Sequence, residues 1–272
     1  MLDTTFSTYQ RSRGAARAVL GSDGRIARLH QSGSAKAMVP RTHGAHPEVV
    51  FLNTSGGLTG GDRLHFELQV GGGAMAMGAT QTAERAYASP GGPPADVQVD
   101  LRVGAGATLF WLPQETILFD RSSLRRTTHL YLGKGATFLG IETLVLGRGH
   151  MGETVERLDF TDLRRVFATS GAPLHAEQLR LDDAVLTESA QPVLLNGKTV
   201  LSTATLLSEA AEDMLGPVRR LLEDVPVDVA ASAWDGRLII RAMGDDAWTL
   251  RAALLPALQF LTGGTLPRVW QL

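Results

Sequence analysis

Apolar and polar residues alternate through much of the first two hundred positions, and that alternation predicts short strands. His65 to Val70, Asp96 to Val103 and Thr127 to Leu132 each run with period two. Each ends in a glycine turn: Gly71-Gly72-Gly73-Ala74, Gly104-Ala105-Gly106-Ala107 and Gly133-Lys134-Gly135-Ala136. A second short strand and a polar element follow each turn, Gln81-Thr82, Glu115-Thr116 and Glu142-Thr143, and the last two continue alike as ETILFDR and ETLVLGR. The turns are about 33 and 29 residues apart, a spacing at which supersecondary units stack and bury their apolar faces on one another. The pattern predicts stacked β-helix-like coils. Ordinary meandering hairpins are the alternative, because they share period two and glycine turns.

Strand patterning continues over Glu156 to Phe160, Glu177 to Leu181, Ala184 to Glu188 and Pro192 to Leu195, with Asn196-Gly197 as a hairpin-type turn before Thr199 to Thr203. The period then changes. Leu206, Leu207, Ala210, Met214, Leu215, Val218, Leu221 and Leu222 give an apolar face to a helix from about Thr205 to Glu223, which Pro217 should kink or divide. Val227 to Ala233 and Arg237 to Ala242 flank Trp234-Asp235-Gly236 as a hairpin. A second helix, capped by Asp245 or Asp246, should pass through Trp248, Leu250, Leu254, Leu255 and Leu258 and stop near Gly263-Gly264, with Pro256 disturbing its middle. Ser89 to Pro94 reads as a loop. The expected fold is mainly β, a stacked β-helix-like (helicoid) body of short strands with two helices near the C-terminus. It is expected to form one domain over residues 1–272, β-rich over 1–204 and helix-containing over 205–272.

Composition narrows the function classes. In 272 residues, 44% apolar content is ample for a packed core, and 26 basic against 28 acidic residues leave no single-sign field for nucleic acid or an anionic membrane. Cysteine is absent, which removes disulfides and thiolate metal sites and fits a reducing compartment. The first fourteen residues lack an apolar signal core, and no segment approaches the roughly 20 apolar residues of a membrane span, so a cytoplasmic protein is expected.

The densest local signal is Val49 to Asp62, VVFLNTSGGLTGGD, an apolar strand followed by a loop in which Gly56, Gly57, Gly60 and Gly61 permit positive φ or close backbone approach. It carries neither GxxxxGK[ST] nor a GxGxxG opening a helix, so phosphate cradling is not indicated. The histidines, His30, His43, His46, His65, His129, His150 and His175, are scattered; only His43 and His46 are close, without metal-ligand spacing. No GxSxG elbow occurs, and Ser55 sits on an unsuitable strand-to-strand turn. Carboxylates are the better candidates: Asp62 at the end of the loop, Glu115 and Glu142 at equivalent repeat positions, and Glu177 in the alternating strand LHAEQLRL. Stacked in register, Glu115 and Glu142 would form a ladder, and an inward ladder requires water, arginine or metal beside it. The bland alternative is that each is solvated or paired with Arg85, Arg121, Arg148 or Arg180.

The spacing of Asn53, Ser55, the paired glycines and Asp62 resembles the urease accessory protein UreD family, also called UreH. Further matches are Thr80-Gln81-Thr82-Ala83 with Tyr87, Pro113-Gln114-Glu115-Thr116-Ile117 leading to Phe119-Asp120-Arg121, Gly140-Ile141-Glu142 leading to Gly147-Arg148, and Pro267-Arg268-Val269-Trp270. They span nearly the whole chain in order. Asn53-Thr54-Ser55 departs from the more apolar, proline-containing lead-in of many members.

The resemblance implies a non-enzymatic scaffold that binds apo-urease and a companion accessory protein, UreF, recruits the nickel-carrying GTPase UreG through that complex, and helps deliver nickel to the urease active site. It implies a polar internal passage matching Asp62, Glu142 and Glu177 here, with nickel only in transit and no resident cofactor. Asn53, Gly56, Gly57, Gly60 and Gly61 would shape the loop. Oxygen donors in an incomplete set suit an ion that must move on. Two other classes stay open: a metal-dependent hydrolase using Asp62, Glu142 and histidines, and a β-solenoid that binds partners but has no channel.

Overall fold

Glycine turns and alternating strands repeat because the chain winds between two stacked sheets. The computed structural model describes residues 11–41, 44 and 46–270, without the side chain of His150; His43, and with it the His43–His46 pair, lies outside the described residues. The strands are β1 (Arg13–Leu20), β2 (Ile26–Gly33), β3 (Ala35–Met38), β4 (Glu48–Asn53), β5 (Arg63–Val70), β6 (Met75–Thr80), β7 (Glu84–Ala86), β8 (Ala95–Val103) and β9 (Thr108–Trp111). They continue as β10 (Thr116–Leu118), β11 (Ser122–Leu132), β12 (Thr137–Leu146), β13 (Leu158–Ala168), β14 (Pro173–Asp182), β15 (Val200–Leu207), β16 (Asp228–Trp234) and β17 (Arg237–Gly244). Three helices occur among the described residues: α1 (Asp183–Thr187), α2 (Leu215–Leu221) and α3 (Ala247–Leu261).

One sheet has the order β14-β13-β11-β8-β5-β1-β2, and the other β16-β17-β15-β12-β9-β6-β4-β3. The inner neighbours β1, β5, β8, β11 and β13 pair in parallel, as do β4, β6, β9 and β12. Each coil therefore rises through the first sheet, turns on glycine, and returns through the second. A third narrow ribbon, β7–β10–β12, closes the coil, and Leu58 extends it by bridging to Ala86. This is the stacked arrangement, not the meander. The turns lie almost in contact: a Cβ added at Gly104 would sit 2.6 Å from the Gly72 amide nitrogen. That leaves room only for hydrogen there, which is why the glycine repeat was visible in the chain.

Two cores follow. Leu68, Leu101, Leu130, Phe51 and Phe138 fill the space between the sheets. Leu139, Ile141, Ala204, Leu206 and Ile240 on the opposite face of the second sheet are covered by Val218 of α2, by Leu250, Leu254 and Leu258 of α3, and by Trp270. The second sheet is thus buried on both faces, and β6 and the first half of β12 read as apolar runs accordingly.

Several expectations are corrected. Ala184 to Glu188 is not a strand: α1 occupies Asp183–Thr187, started by the Asp182 carboxylate, which accepts the Val185 amide at 3.2 Å. Pro192 to Leu195 is a series of turns, so Asn196-Gly197 is a turn but not a hairpin connection. The helix expected from Thr205 is only α2; β15 runs on to Leu207, held between β12 and β17, so two ladders of hydrogen bonds override the helical spacing of its last residues. Pro217 lies in the first turn of α2, where its missing N–H leaves no helix bond broken. The Asp235-Gly236 hairpin has positive φ at both residues, 46° and 71°, and Asp246 caps α3 by accepting the Thr249 amide at 2.8 Å.

Candidate functional site

Strand parity sends charged residues into the space between the sheets. On β11, Leu124, Arg126, Thr128 and Leu130 face inward, and on β13, Phe160, Asp162, Arg164 and Val166 do the same. Glu142 reaches them from β12 across the interior. Arg126 donates Nε to Asp162 Oδ1 at 3.0 Å and Nη2 to Oδ2 at 2.9 Å, and its Nη1 lies 2.7 Å from Glu142 Oε2. The same Nη1 donates to Thr116 Oγ1 at 3.2 Å. Arg164 continues the line, 3.4 Å from Asp162 and 3.5 Å from Glu177 Oε2, and Arg241 of β17 closes it with Nη2 at 2.8 Å from Glu177 Oε1.

Burial works against every charge in this set, and pairing opposes it. Burial would lower the Arg126 guanidinium, yet Asp162 and Glu142 together hold it firmly protonated. For Asp162, burial pushes upward but the charge and hydrogen bonds of Arg126, helped by Arg164, keep the carboxyl below its ordinary value. Glu142 moves the other way: burial lifts it, Asp162 adds to the lift, and Arg126 only partly offsets them. His175, on the same face of β14 as Glu177, is lowered by burial, with Glu177 opposing and Arg237, Arg164 and Arg241 reinforcing.

A cavity of about 50 Å3 lies beside this network, lined by Trp111, Phe138, Glu142, Arg164, His175 and Glu177 among others. Glu142 and Glu177 therefore share one interior space, and Asp62 is not part of it. Asp62 is buried at the start of β5, where Oδ1 accepts the Ser12 amide at 2.7 Å and Oδ2 the Thr59 amide at 2.9 Å. In the glycine loop, Gly56, Gly57 and Gly61 have positive φ, and a Cβ at Gly57 or Gly60 would strike Tyr87 or Ser89. Asn53 ties the loop together, accepting the Ser55 amide at 3.1 Å and donating to the Gly57 carbonyl at 3.4 Å.

The ladder of Glu115 and Glu142 does not form. Thr116 pairs with Leu144, one residue away from the alignment of Glu115-Thr116 with Glu142-Thr143, and such a slip reverses the face a side chain occupies. Glu115 instead meets Arg251 of α3 at 2.7 Å on the helical side, where Arg251 also bonds Gln114 and stacks over Trp270. The arginines named in the alternative reading are not the partners of these three glutamates: Arg126 takes Glu142, Arg164 and Arg241 take Glu177, and Arg251 takes Glu115, whereas Arg148 binds Glu153.

Glu84 was not singled out, because a three-residue strand carries no readable alternation. It lies within hydrogen-bond range of Asn53 Nδ2 at 3.4 Å, on β7 opposite Thr116. Burial pushes its carboxyl up to about 7; the Arg85 amide, Asn53 and the Arg85 charge pull it down, and Asp62 adds a small lift. Folding therefore takes up a proton at Glu84. Its contribution to stability is full below pH 4.5 and is lost as pH rises through about 7. Glu84→Gln should flatten this dependence, removing up to about 3 kcal/mol of the difference in unfolding free energy between acidic and mildly alkaline buffer. Urea melts at the two pH values measure it; equal pH dependence in variant and parent would contradict the assignment.

Among the described residues, no three His, Asp or Glu side chains are grouped so as to hold a metal ion. The converging cluster required by a metal-dependent hydrolase is thus not found there. No helix among them is long and apolar enough to cross a membrane.

A stacked two-sheet coil with a paired-charge interior defines a β-solenoid-like protein. The profile of the UreD urease accessory protein family matches residues 12–271. The chain belongs to that family. Among similar proteins, the urease accessory protein UreD of Cereibacter sphaeroides is 51% identical, with 96% of each chain covered. Those of a Jannaschia species and of Rhizobium leguminosarum are 48% and 42% identical, covering 100% and 91% of this chain and 100% and 90% of their own. The protein is therefore a urease accessory protein and not a catalyst in its own right.

Proposed function

We propose that this chain holds apo-urease and the accessory protein UreF in one cytoplasmic complex, that the GTPase UreG joins through that complex, and that nickel moves along the polar interior of the coil on its way to urease. The observation that carries this reading is the line of charged groups crossing an otherwise apolar sandwich, from Glu142, Arg126 and Asp162 through Arg164 to Glu177 and Arg241. A core with no transport role would be at least as stable with apolar residues in these places.

The chemistry suits transit. A divalent ion entering the line replaces guanidinium charge on the carboxylates, and the freed arginines are released toward water or toward the next acid. Oxygen donors hold such an ion less tightly than a full imidazole or thiolate set, so no step traps it. The test is affinity purification of the tagged chain from its own cells, combined with maturation of purified apo-urease by the accessory proteins with and without this chain. Co-purification of urease and nickel loading that requires this chain support the reading. Full loading in its absence, or a complex without urease, overturns it. A solenoid without a channel would show co-purification and normal loading by interior-blocked variants.

A further inference from the structure

We propose that His175 supplies a nitrogen ligand for nickel in the cavity between the sheets, acting with Glu177 to favour nickel over manganese and other oxygen-preferring ions. The inference rests on the transit reading above and adds a residue and a selectivity to it.

The geometry points to His175 in four ways. It lies two residues from Glu177 on β14, where His175, Glu177 and Leu179 are partly buried and Leu174, Ala176, Gln178 and Arg180 are exposed. Both side chains line the cavity of about 50 Å3 that also contains Glu142. His175 additionally lines a wider opening of about 540 Å3 with Gly133, Ala168 and Arg237, so it is shared by the two spaces. Its Nε2 is buried and has no hydrogen-bond partner among the described residues. Leaving such a nitrogen unsatisfied opposes folding, and a polar atom so placed calls for an explanation.

A visiting ion supplies one. Carboxylates alone discriminate weakly among divalent cations, whereas an imidazole nitrogen binds nickel well and manganese poorly. Residues two apart on one strand face project in the same direction, so one ion can bridge them while water fills its remaining positions. Two protein ligands are too few for a resident site, which agrees with the lack of any three-donor group among the described residues. Glu177 must first release an oxygen. Arg241, whose side chain is 57% exposed, is the partner that can turn into water with least penalty.

The experiment uses the full chain and the assembled maturation complex. In the isolated chain labelled at histidine nitrogen, nickel should broaden the His175 imidazole signal at concentrations where magnesium leaves it unchanged. In the complex, His175→Gln should make nickel loading of urease about tenfold more sensitive to competing manganese, with the melting temperature of the chain unchanged. A His175 signal untouched by nickel, or equal manganese sensitivity in parent and variant, overturns the proposal; a buried water satisfying Nε2 would give this result. The wild-type titration decides the matter even if the variant folds poorly. If Glu177→Gln and Glu142→Gln also load nickel normally, the transit reading fails; if they impair loading while His175 is silent, only the present inference falls.

Discussion

Replacing Arg126 with methionine is expected to lower the unfolding free energy by about 3–5 kcal/mol, the effect of breaking a buried ion pair from one side. Arg126 is 7% exposed and serves two carboxylates at once, Asp162 in a two-pronged contact and Glu142 at 2.7 Å. Methionine keeps much of the aliphatic volume but leaves both acids in the interior with Arg164 as their nearest cation. One of them must then fold in protonated form. The sign with pH follows. In the parent, Asp162 is held below its ordinary value, so its contribution is present above that value and lost as the solution is acidified. In the variant the carboxyls are lifted, so stability is greatest in acid and falls as pH rises through their raised values. The difference between parent and variant should therefore be largest in mildly alkaline buffer and should shrink toward pH about 5. Urea melts across that range measure it. A loss under about 1 kcal/mol at neutral pH would mean that water, not Arg126, compensates the acids. Replacing Arg126, Glu142 and Asp162 together with apolar residues should recover much of the loss, because no charge is then stranded.

How far the sequence foretold this arrangement depends on which physical constraint left a trace. The stacked turns were legible because Gly104 and its counterparts touch the backbone of the next coil, a requirement that only one residue type meets. Strand alternation was legible too, and in LHAEQLRL it puts Glu177 on one face with His175, Leu179 and Leu181. The same parity would have found Arg126 and Asp162: in SSLRRTTHLYL and LDFTDLRRVFA each shares its face with Leu124 and Leu130, or with Phe160 and Val166. A charge at a core-face position was the signal, and counting motifs alone passed over it. Register was not legible. ETILFDR and ETLVLGR look superimposable, yet the coil pairs Thr116 with Leu144, and that single step sends Glu115 to Arg251 and leaves Glu142 inside. Parallel register here is set by the length of the whole coil, which no local identity encodes. The overlong helix had a similar cause: Leu206 and Leu207 fit a helical face, but both neighbours of β15 demand an extended partner.

Glu142→Leu should act in the opposite manner to Arg126→Met, sparing the fold and stopping the cargo. With Glu142 gone, Arg126 keeps its contacts with Asp162 and Arg164 remains with Glu177; three guanidinium groups then face two carboxylates, and the surplus charge falls on Arg241, whose side chain is 57% exposed to water. The expected stability change is within about 2 kcal/mol, and the accessory complex should still assemble with urease. Nickel is another matter. At this point in the line an ion would face leucine on one side and guanidinium on the other, and losing even a few kcal/mol of compensation for its hydration exceeds the 1.4 kcal/mol that corresponds to a tenfold change in rate. Nickel incorporation should therefore fall at least about tenfold. Glu142→Asp, which keeps the carboxylate, should restore part of it, and Glu142→Gln, which keeps only a neutral oxygen, should lie between. Nickel per urease active site, measured on the purified complex alongside its composition, separates loss of cargo from loss of assembly. Loading by Glu142→Leu at the parental rate would remove the interior route, because leucine deletes the carboxylate that lines the cavity together with Glu177.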